Sequence, residues 1–149
     1  MGRIIAIDYG QKRVGFAATD ELRICAHALE TEHVTKAFDY LKHYIETEKV
    51  DVIVIGLPKK LDNTPSESTR YIEPFVNRVR NSFPNIEIAR VDERFTSRMA
   101  FQTMIDSGLK KKDRQNKALV DTISATIILQ SYLQQLDIEK ERNNNMQLL

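Results

Sequence analysis

The chain has 149 residues, a formal net charge of +1, and 42% hydrophobic and 29% charged residues. That length fits one domain with a real core, and the balanced charge means that any signal of nucleic-acid binding must be local. No apolar run approaches the ~20 residues of a membrane span, and the N-terminus lacks a secretion pattern. Its single cysteine, Cys25, excludes an internal disulfide. We therefore expect a cytoplasmic protein with no membrane partner.

The first residues predict an antiparallel β-meander. Residues 3–10 read RIIAIDYG, and a continuous isoleucine-rich run is typical of a strand buried on both faces. Residues 14–19 predict a second strand, and residues 24–29 a weaker third one. Only short polar turns separate the three, so consecutive strands should pair antiparallel.

The rest of the chain alternates helices and strands. Apolar residues at helical spacing predict a helix over 34–48, followed by a buried strand over 50–58. A helix between two buried strands indicates a crossover, so this strand should run parallel to the first. Further on, the pattern predicts a helix opened by the capping box Thr64-Pro65-Ser66-Glu67 and ending near 82, a strand over 86–91, a helix over 96–106 and a helix over 117–136.

Together these elements predict an α/β fold. It contains a mixed five-stranded sheet, an antiparallel meander plus two parallel strands, with helices on both faces. Residues 1–136 should form the single domain, and residues 137–149 a polar, flexible tail.

Acidic residues occupy three positions where chemistry is possible. Asp8 ends the first strand, Asp92 and Glu93 follow the last, and Asp121 lies within an apolar stretch of the final helix. The ends of parallel strands meet at one edge of a sheet, where ligand sites form. For Asp8 the simpler interpretation is a turn cap, and for Asp121 a surface pair with Lys117.

Neighbouring residues of a strand point to opposite faces, so Asp92 and Glu93 cannot both face Asp8. The sequence alone leaves both open. The histidines, His27, His33 and His43, are scattered and do not form a metal pattern. Converging carboxylates without histidine favour one or two Mg²⁺ or Mn²⁺ ions, which can activate water for phosphodiester hydrolysis.

Basic residues indicate a polyanionic substrate. Between Arg90 and Lys117 there are eight Lys or Arg against four Asp or Glu. Contacts of this kind position a nucleic acid without reading its sequence. The candidates for phosphate contact are Lys12, Arg13, Lys59, Lys60, Arg94, Arg98, Lys110, Lys111, Lys112 and Arg114.

Four ordered motifs resemble the YqgF (RuvX) family. They are Ile7-Asp8-Tyr9-Gly10 with the Lys12-Arg13-Val14-Gly15 hairpin, Ile55-Gly56-Leu57-Pro58, Asp92-Glu93-Arg94-Phe95-Thr96-Ser97, and Asp121-Thr122-Ile123-Ser124-Ala125. The resemblance covers nearly the whole chain except the polar tail. It implies an RNase H-like fold with Asp8, Glu93 and Asp121 as catalytic acids, Asp8 being the central metal ligand.

The resemblance also implies a function. The family is assigned to maturation of the 5′ end of 16S rRNA, so the expected substrate is structured precursor rRNA, with ribosomal particles as further partners. An older assignment, Holliday junction resolution, would require branched DNA and a homodimer instead of a monomer. A nucleic-acid-binding module without catalysis is the third interpretation. An actin-like or sugar-kinase fold also opens on an Asp-x-Gly hairpin, but it needs two domains.

Overall fold

The structure, a computed structural model, describes residues 2–57, 69–92 and 117–147. Side chains at 117–121 and 146–147 are not described. The predicted capping box at 64–67 and the predicted helix over 96–106 lie outside these residues.

A five-stranded sheet forms the centre of the molecule, in the order β3-β2-β1-β4-β5. The strands are β1 (Arg3–Tyr9), β2 (Arg13–Thr19), β3 (Ala26–His33), β4 (Val50–Leu57) and β5 (Glu87–Asp92). The helices are a 3₁₀ turn (Val34–Lys36), α1 (Ala37–Thr47), α2 (Thr69–Ser82) and α3 (Lys117–Gln147). β1 pairs antiparallel with β2 and parallel with β4, and β5 continues the parallel part. The predicted meander and mixed sheet are confirmed.

Two apolar layers sandwich the sheet, one on each face. Odd-numbered residues of β1, such as Ile5 and Ile7, pack in the layer that includes α1 and α2. Even-numbered residues, Ile4 and Ala6, pack in the layer that includes α3. Because both faces are buried, β1 is apolar from Ile4 to Ile7 and becomes polar again only at Asp8, as the sequence predicts.

The third strand differs from its predicted bounds. It begins at Ala26 and continues to His33, beyond the predicted end at 29. Its second half, Glu30 to His33, is polar because β3 is an edge strand, half of whose surface meets solvent. Pairing with β2, not hydrophobicity, carries the strand through these residues.

A β-bulge interrupts β3. Ala28 pairs with Ala17 and Thr31 with Gly15, so Leu29 and Glu30 together oppose the single residue Phe16. A bulge of this type reverses which residues of the strand point to a given face. After it, Thr31 lies on the face that Ala28 occupied before it.

The last helix is longer than predicted. α3 continues through Gln147, so the predicted end at 136 was wrong. Residues 137–145 are exposed, and the run from Glu139 to Arg142 consists of good helix formers. Polarity here marks a solvated helix surface and not the end of the helix. None of the described helices is long and apolar enough to cross a membrane.

Candidate active site

Asp8 lies at the edge of the sheet where β1, β4 and β5 all end. It is the residue before the last of β1, and it is half-buried. Alternation from Ala6 places it on the face that α3 covers. Asp8 therefore lies at the shared end of parallel strands, as predicted.

Glycines flank Asp8 in both neighbouring strands. Gly15 is its partner in β2. Gly56 lies level with it in β4, one residue past the Ile7–Ile55 pair. Neither position carries a side chain on the α3 face, so neither neighbouring strand places a side chain beside the Asp8 carboxylate.

The other face at this edge is filled by aromatic packing. Tyr9 stacks on Phe75 of α2 with ring centroids 4.4 Å apart, and Tyr71 is 6.4 Å away. Burial raises the pKa of Tyr9, partly offset by the nearby Arg78 guanidinium. A ligand of Asp8 is thus expected on the α3 side, not on the α2 side.

Asp121 belongs to the part of α3 that lies over the sheet. Ala125 and Ile128, four and seven residues later, are fully buried against the sheet. Positions at this spacing share one face of a helix. The spacing therefore predicts that position 121 belongs to this stripe, one turn before Ala125.

The faces of β5 separate Asp92 from the residue after it. Ala89 and Val91 pack in the α3 layer, whereas Ile88 packs in the α2 layer. By alternation Asp92 belongs with Ile88, on the face opposite Asp8. Glu93 lies outside the described residues.

Arg90 braces this edge on the α2 face. Its guanidinium donates to the carbonyl oxygens of Ile55 and Gly56, at 3.1 Å each, and pairs with Glu73 of α2 at 2.8 Å. The Arg90 side chain is only 17% exposed. It ties the ends of β4 and β5 to α2.

The structure describes two of the predicted phosphate-contacting residues. Arg13 begins β2 and lies, two residues from Gly15, on the same face as Asp8. Lys12 is exposed in the preceding turn. In that turn the Gly10 amide donates to the Arg13 carbonyl at 2.9 Å, and a Cβ on Gly10 would approach that oxygen to 2.5 Å. The remaining candidates lie outside the described residues: Lys59, Lys60, Arg94, Arg98, Lys110, Lys111, Lys112 and Arg114.

Within the described residues, no three His, Cys, Asp or Glu side chains come together in a way that could hold a metal ion. Glu93 and the Asp121 side chain lie outside that part of the chain. The donors that the sequence predicts are all carboxylates, and the paired glycines leave room beside Asp8. This donor set fits a hard divalent cation.

Sequence reasoning missed three positions near Asp8. Gly15 and Gly56 occur within recognised motifs, but only the strand register shows that they flank the acid. Thr31 is the third, paired with Gly15 in a strand whose predicted end fell before it. The bulge that brings Thr31 to this face leaves no distinct signal in the sequence.

Known proteins match the chain over most of its length. Two relatives, each provisionally named pre-16S rRNA nuclease, come from Flavobacterium psychrophilum and Phocaeicola vulgatus. The first is 60% identical over 133 residues, covering 89% of this chain and 97% of the relative. The second is 57% identical over 134 residues, covering 90% and 96%.

Among solved structures, Thermus thermophilus RuvC in complex with a Holliday junction substrate superposes with a TM-score of 0.52 at 12% identity. The match covers 85% of this chain and 91% of RuvC. At this identity the likeness shows the fold, which is the predicted RNase H-like one. A family model described as RuvX, Holliday junction resolvase, matches residues 2–135. This chain belongs to the RuvX family.

Proposed function

We propose that this protein is a divalent-metal-dependent endonuclease that removes the 5′ extension of precursor 16S rRNA. Membership of the RuvX family and the names of the relatives support phosphodiester hydrolysis and this substrate. One observation in the structure carries the proposal for the site. Asp8 lies between two glycines, at the shared end of three parallel strands and beneath the helix that carries Asp121.

The proposed catalytic acids are Asp8, Glu93 and Asp121. Asp92 belongs to the opposite face, so the alternation of β5, continued by one residue, favours Glu93 as the partner of Asp8. Two strand spacings, roughly 10 Å, separate β1 from β5, and Gly56 lies between them. Gly56 is level with Val91 of β5, and Glu93 follows Val91 by two residues, the spacing that returns to the same face of a strand. A divalent cation could thus be held by Asp8 and Glu93 together.

Mg²⁺ or Mn²⁺ bound there would lower the pKa of water and stabilise the leaving oxygen. The protein's own contribution is to position charge. Asp8, on a buried strand, fixes one ligand rigidly, and α3 carries the position of another. Arg13, on the same face, is suited to hold a phosphate of the strand that is cut.

The first test is cleavage of a precursor 16S rRNA with its 5′ extension, in Mg²⁺ or Mn²⁺. Asp8→Asn removes a charged oxygen ligand while keeping the shape of the side chain. We expect the rate to fall by more than about 100-fold, since even outer-shell changes cost 10–100-fold. Asp137→Asn, in the exposed part of α3, is the matched control and should cleave normally.

Equal cleavage by wild type and Asp8→Asn would assign the activity to a contaminant and refute the proposal. A second pair decides between the neighbouring acids. Glu93→Gln should lose as much activity as Asp8→Asn, and Asp92→Asn should lose much less. The reverse order would make Asp92 the ligand.

Resolution of four-way DNA junctions is the second candidate, because the family model is described as a Holliday junction resolvase. It requires two active sites that face opposite strands, and hence a dimer. Symmetrical cleavage of a four-way junction, together with a dimeric mass in light scattering, would favour it. A monomer that cuts precursor rRNA and leaves the junction intact would favour RNA processing.

A further inference from the structure

We propose that Thr31 and Thr122 are positioning residues for the nuclease reaction, and that their hydrogen bond sets the distance between Asp121 and Asp8. The inference rests on the proposed function, because it concerns how two of the proposed acids are brought together. Neither threonine is expected to contact the metal or the substrate.

The strand register places Thr31 in line with Asp8. Thr31 pairs with Gly15, and Gly15 pairs with Asp8, so the three form one row across β3, β2 and β1. The row lies on the α3 face. With no side chain at Gly15, the row holds only the Asp8 carboxylate and, two strands away, the Thr31 hydroxyl.

The bulge in β3 places a threonine, Thr31, in this row. Ala26 packs in the α3 layer, and Ala28 is paired with Ala17 of the same layer. Strict alternation would give the next inward position to Glu30. The extra residue at Leu29 and Glu30 gives it to Thr31 instead, and bulges are known to redirect side chains near active sites.

The second half of the contact comes from α3. The Thr31 and Thr122 hydroxyl oxygens are 2.5 Å apart, although 91 positions separate them in the chain. That is a short hydrogen bond between hydroxyls. Both side chains are half-buried, so water competes less for the bond.

Thr122 follows Asp121 directly on the helix. After Thr122, towards the C-terminus, the helix packs on the sheet through buried apolar residues, including Ala125, Ile128 and Leu129. Such contacts are not directional, and they allow a helix to slide or rotate slightly. A directional bond at Thr122, beside the acid, is what fixes the height and rotation of this turn over the sheet edge.

Displacement of a metal-coordinating carboxylate by about 1 Å can lower the reaction rate by roughly 100-fold. Loss of the bond should therefore affect metal binding and catalysis more than stability. Thr122→Val keeps the shape of the side chain and removes the hydroxyl. Thr122→Ser keeps the hydroxyl.

The experiment measures Mn²⁺ affinity by calorimetry without RNA, then kcat and KM for precursor rRNA, and Tm. Thr122→Val should bind Mn²⁺ about 10-fold more weakly, as outer-shell variants do, with a lower kcat and an unchanged KM. Thr122→Ser, which keeps the hydroxyl, should have the Mn²⁺ affinity and the kcat of the wild type. The matched control is Thr126→Val, because the Thr126 hydroxyl donates only within α3, to the Thr122 carbonyl at 2.9 Å.

A double-mutant cycle tests the pair itself. Thr31→Val should give the same loss as Thr122→Val, and the double variant should lose no more than either single one. Additive losses would show that the two hydroxyls act separately, and would refute the positioning pair. Identical Mn²⁺ affinity and kcat in Thr122→Val and Thr126→Val would refute it as well.

Asp121→Asn, measured in parallel, separates this inference from the proposed function. If Asp121→Asn is inactive and Thr122→Val is normal, the positioning role is wrong and the catalytic assignment stands. If Asp121→Asn is fully active, both are wrong, because the bond then has no catalytic group to position.

Discussion

Gly15 and Gly56 show how single residues shape the candidate site. Glycine within a strand costs roughly 0.5–1 kcal/mol relative to alanine, because it loses more conformational freedom on folding. Two glycines on either side of Asp8 in central strands therefore reduce stability. We interpret that cost as the consequence of keeping space open beside the carboxylate.

This interpretation predicts an unusual effect for Gly15→Ala. The added methyl group stands next to Asp8, so Mn²⁺ affinity and cleavage should both fall by about 10-fold or more. Thermal stability should stay the same or rise, since alanine is the better strand residue. Differential scanning calorimetry and Mn²⁺ titration measure the two effects separately.

Gly10→Ala is the contrasting variant. A Cβ at Gly10 would lie 2.5 Å from the Arg13 carbonyl oxygen, so the β1–β2 turn must distort. We expect it to lower Tm, whereas Gly15→Ala should not. A fall in Tm for Gly15→Ala that matches its loss of activity would mean that this glycine serves folding instead.

Among the elements, the ends of β4 and β5 are joined to α2 through the Arg90 side chain, at the edge that carries Asp8. Arg90 makes its three contacts with Ile55, Gly56 and Glu73, and so joins two strands to α2. Two carbonyl oxygens at the end of β4 and the Glu73 carboxylate all accept hydrogen bonds from the Arg90 guanidinium. Removing it leaves polar groups unsatisfied at a half-buried place.

Arg90→Met keeps the apolar part of the side chain and removes the donors. We expect it to lower the free energy of unfolding by about 1–3 kcal/mol, the cost of unsatisfied buried partners. Urea unfolding followed by circular dichroism gives the value. Arg80→Met, at an exposed position of α2, should change it by less than about 0.5 kcal/mol.

For the molecule as a whole, the sequence predicted the fold well, because its strongest signals are long and periodic. The buried strands β1 and β4 and the crossover between them follow from apolar runs and from a helical repeat. What it could not predict depends on pairing. The extension of β3 to His33 and its bulge come from hydrogen bonds with β2, which polar residues make as readily as apolar ones.

The candidate site was predictable to a similar extent. Asp8 and the edge on which it lies could be predicted, since a carboxylate at the end of a buried strand is unusual. The choice between Asp92 and Glu93 could not, because it depends on which face of β5 meets α3. Likewise, no local pattern relates Thr31 to Thr122 across 91 positions.

The pH dependence of stability is also a property of the whole molecule. Asp51, at the opposite edge of the sheet, accepts bonds from the Gly2 amide at 2.7 Å and the Arg23 guanidinium at 3.1 Å. The Gly2 amide is the main cause that holds the pKa of Asp51 below its ordinary value of 3.8. A lowered pKa means that the folded state favours the charged form, so the stability gained is present above pH 3.8 and lost as the pH falls further.

The fall in Tm with decreasing pH should therefore be smaller in Asp51→Asn than in wild type. Its Tm should be lower than that of wild type at pH 7, and the two curves should converge as the pH approaches 3. Scanning calorimetry across this range makes the comparison. Parallel curves at all pH values would show that the carboxylate of Asp51 contributes nothing specific.

The bulge in β3 has a consequence for the charge that a substrate meets. Glu30 and Glu32 lie near Tyr40 on the α1 side, where their charges and burial raise the pKa of that tyrosine to about 12, with burial the larger cause. If the same residues paired with β2 without a bulge, alternation from Ala28 would turn both glutamates toward the α3 face, beside the row of Gly15 and Asp8. Two added negative charges there would repel a phosphate backbone. One irregular pairing in an edge strand thus keeps two negative charges away from the face on which we expect a nucleic acid to bind.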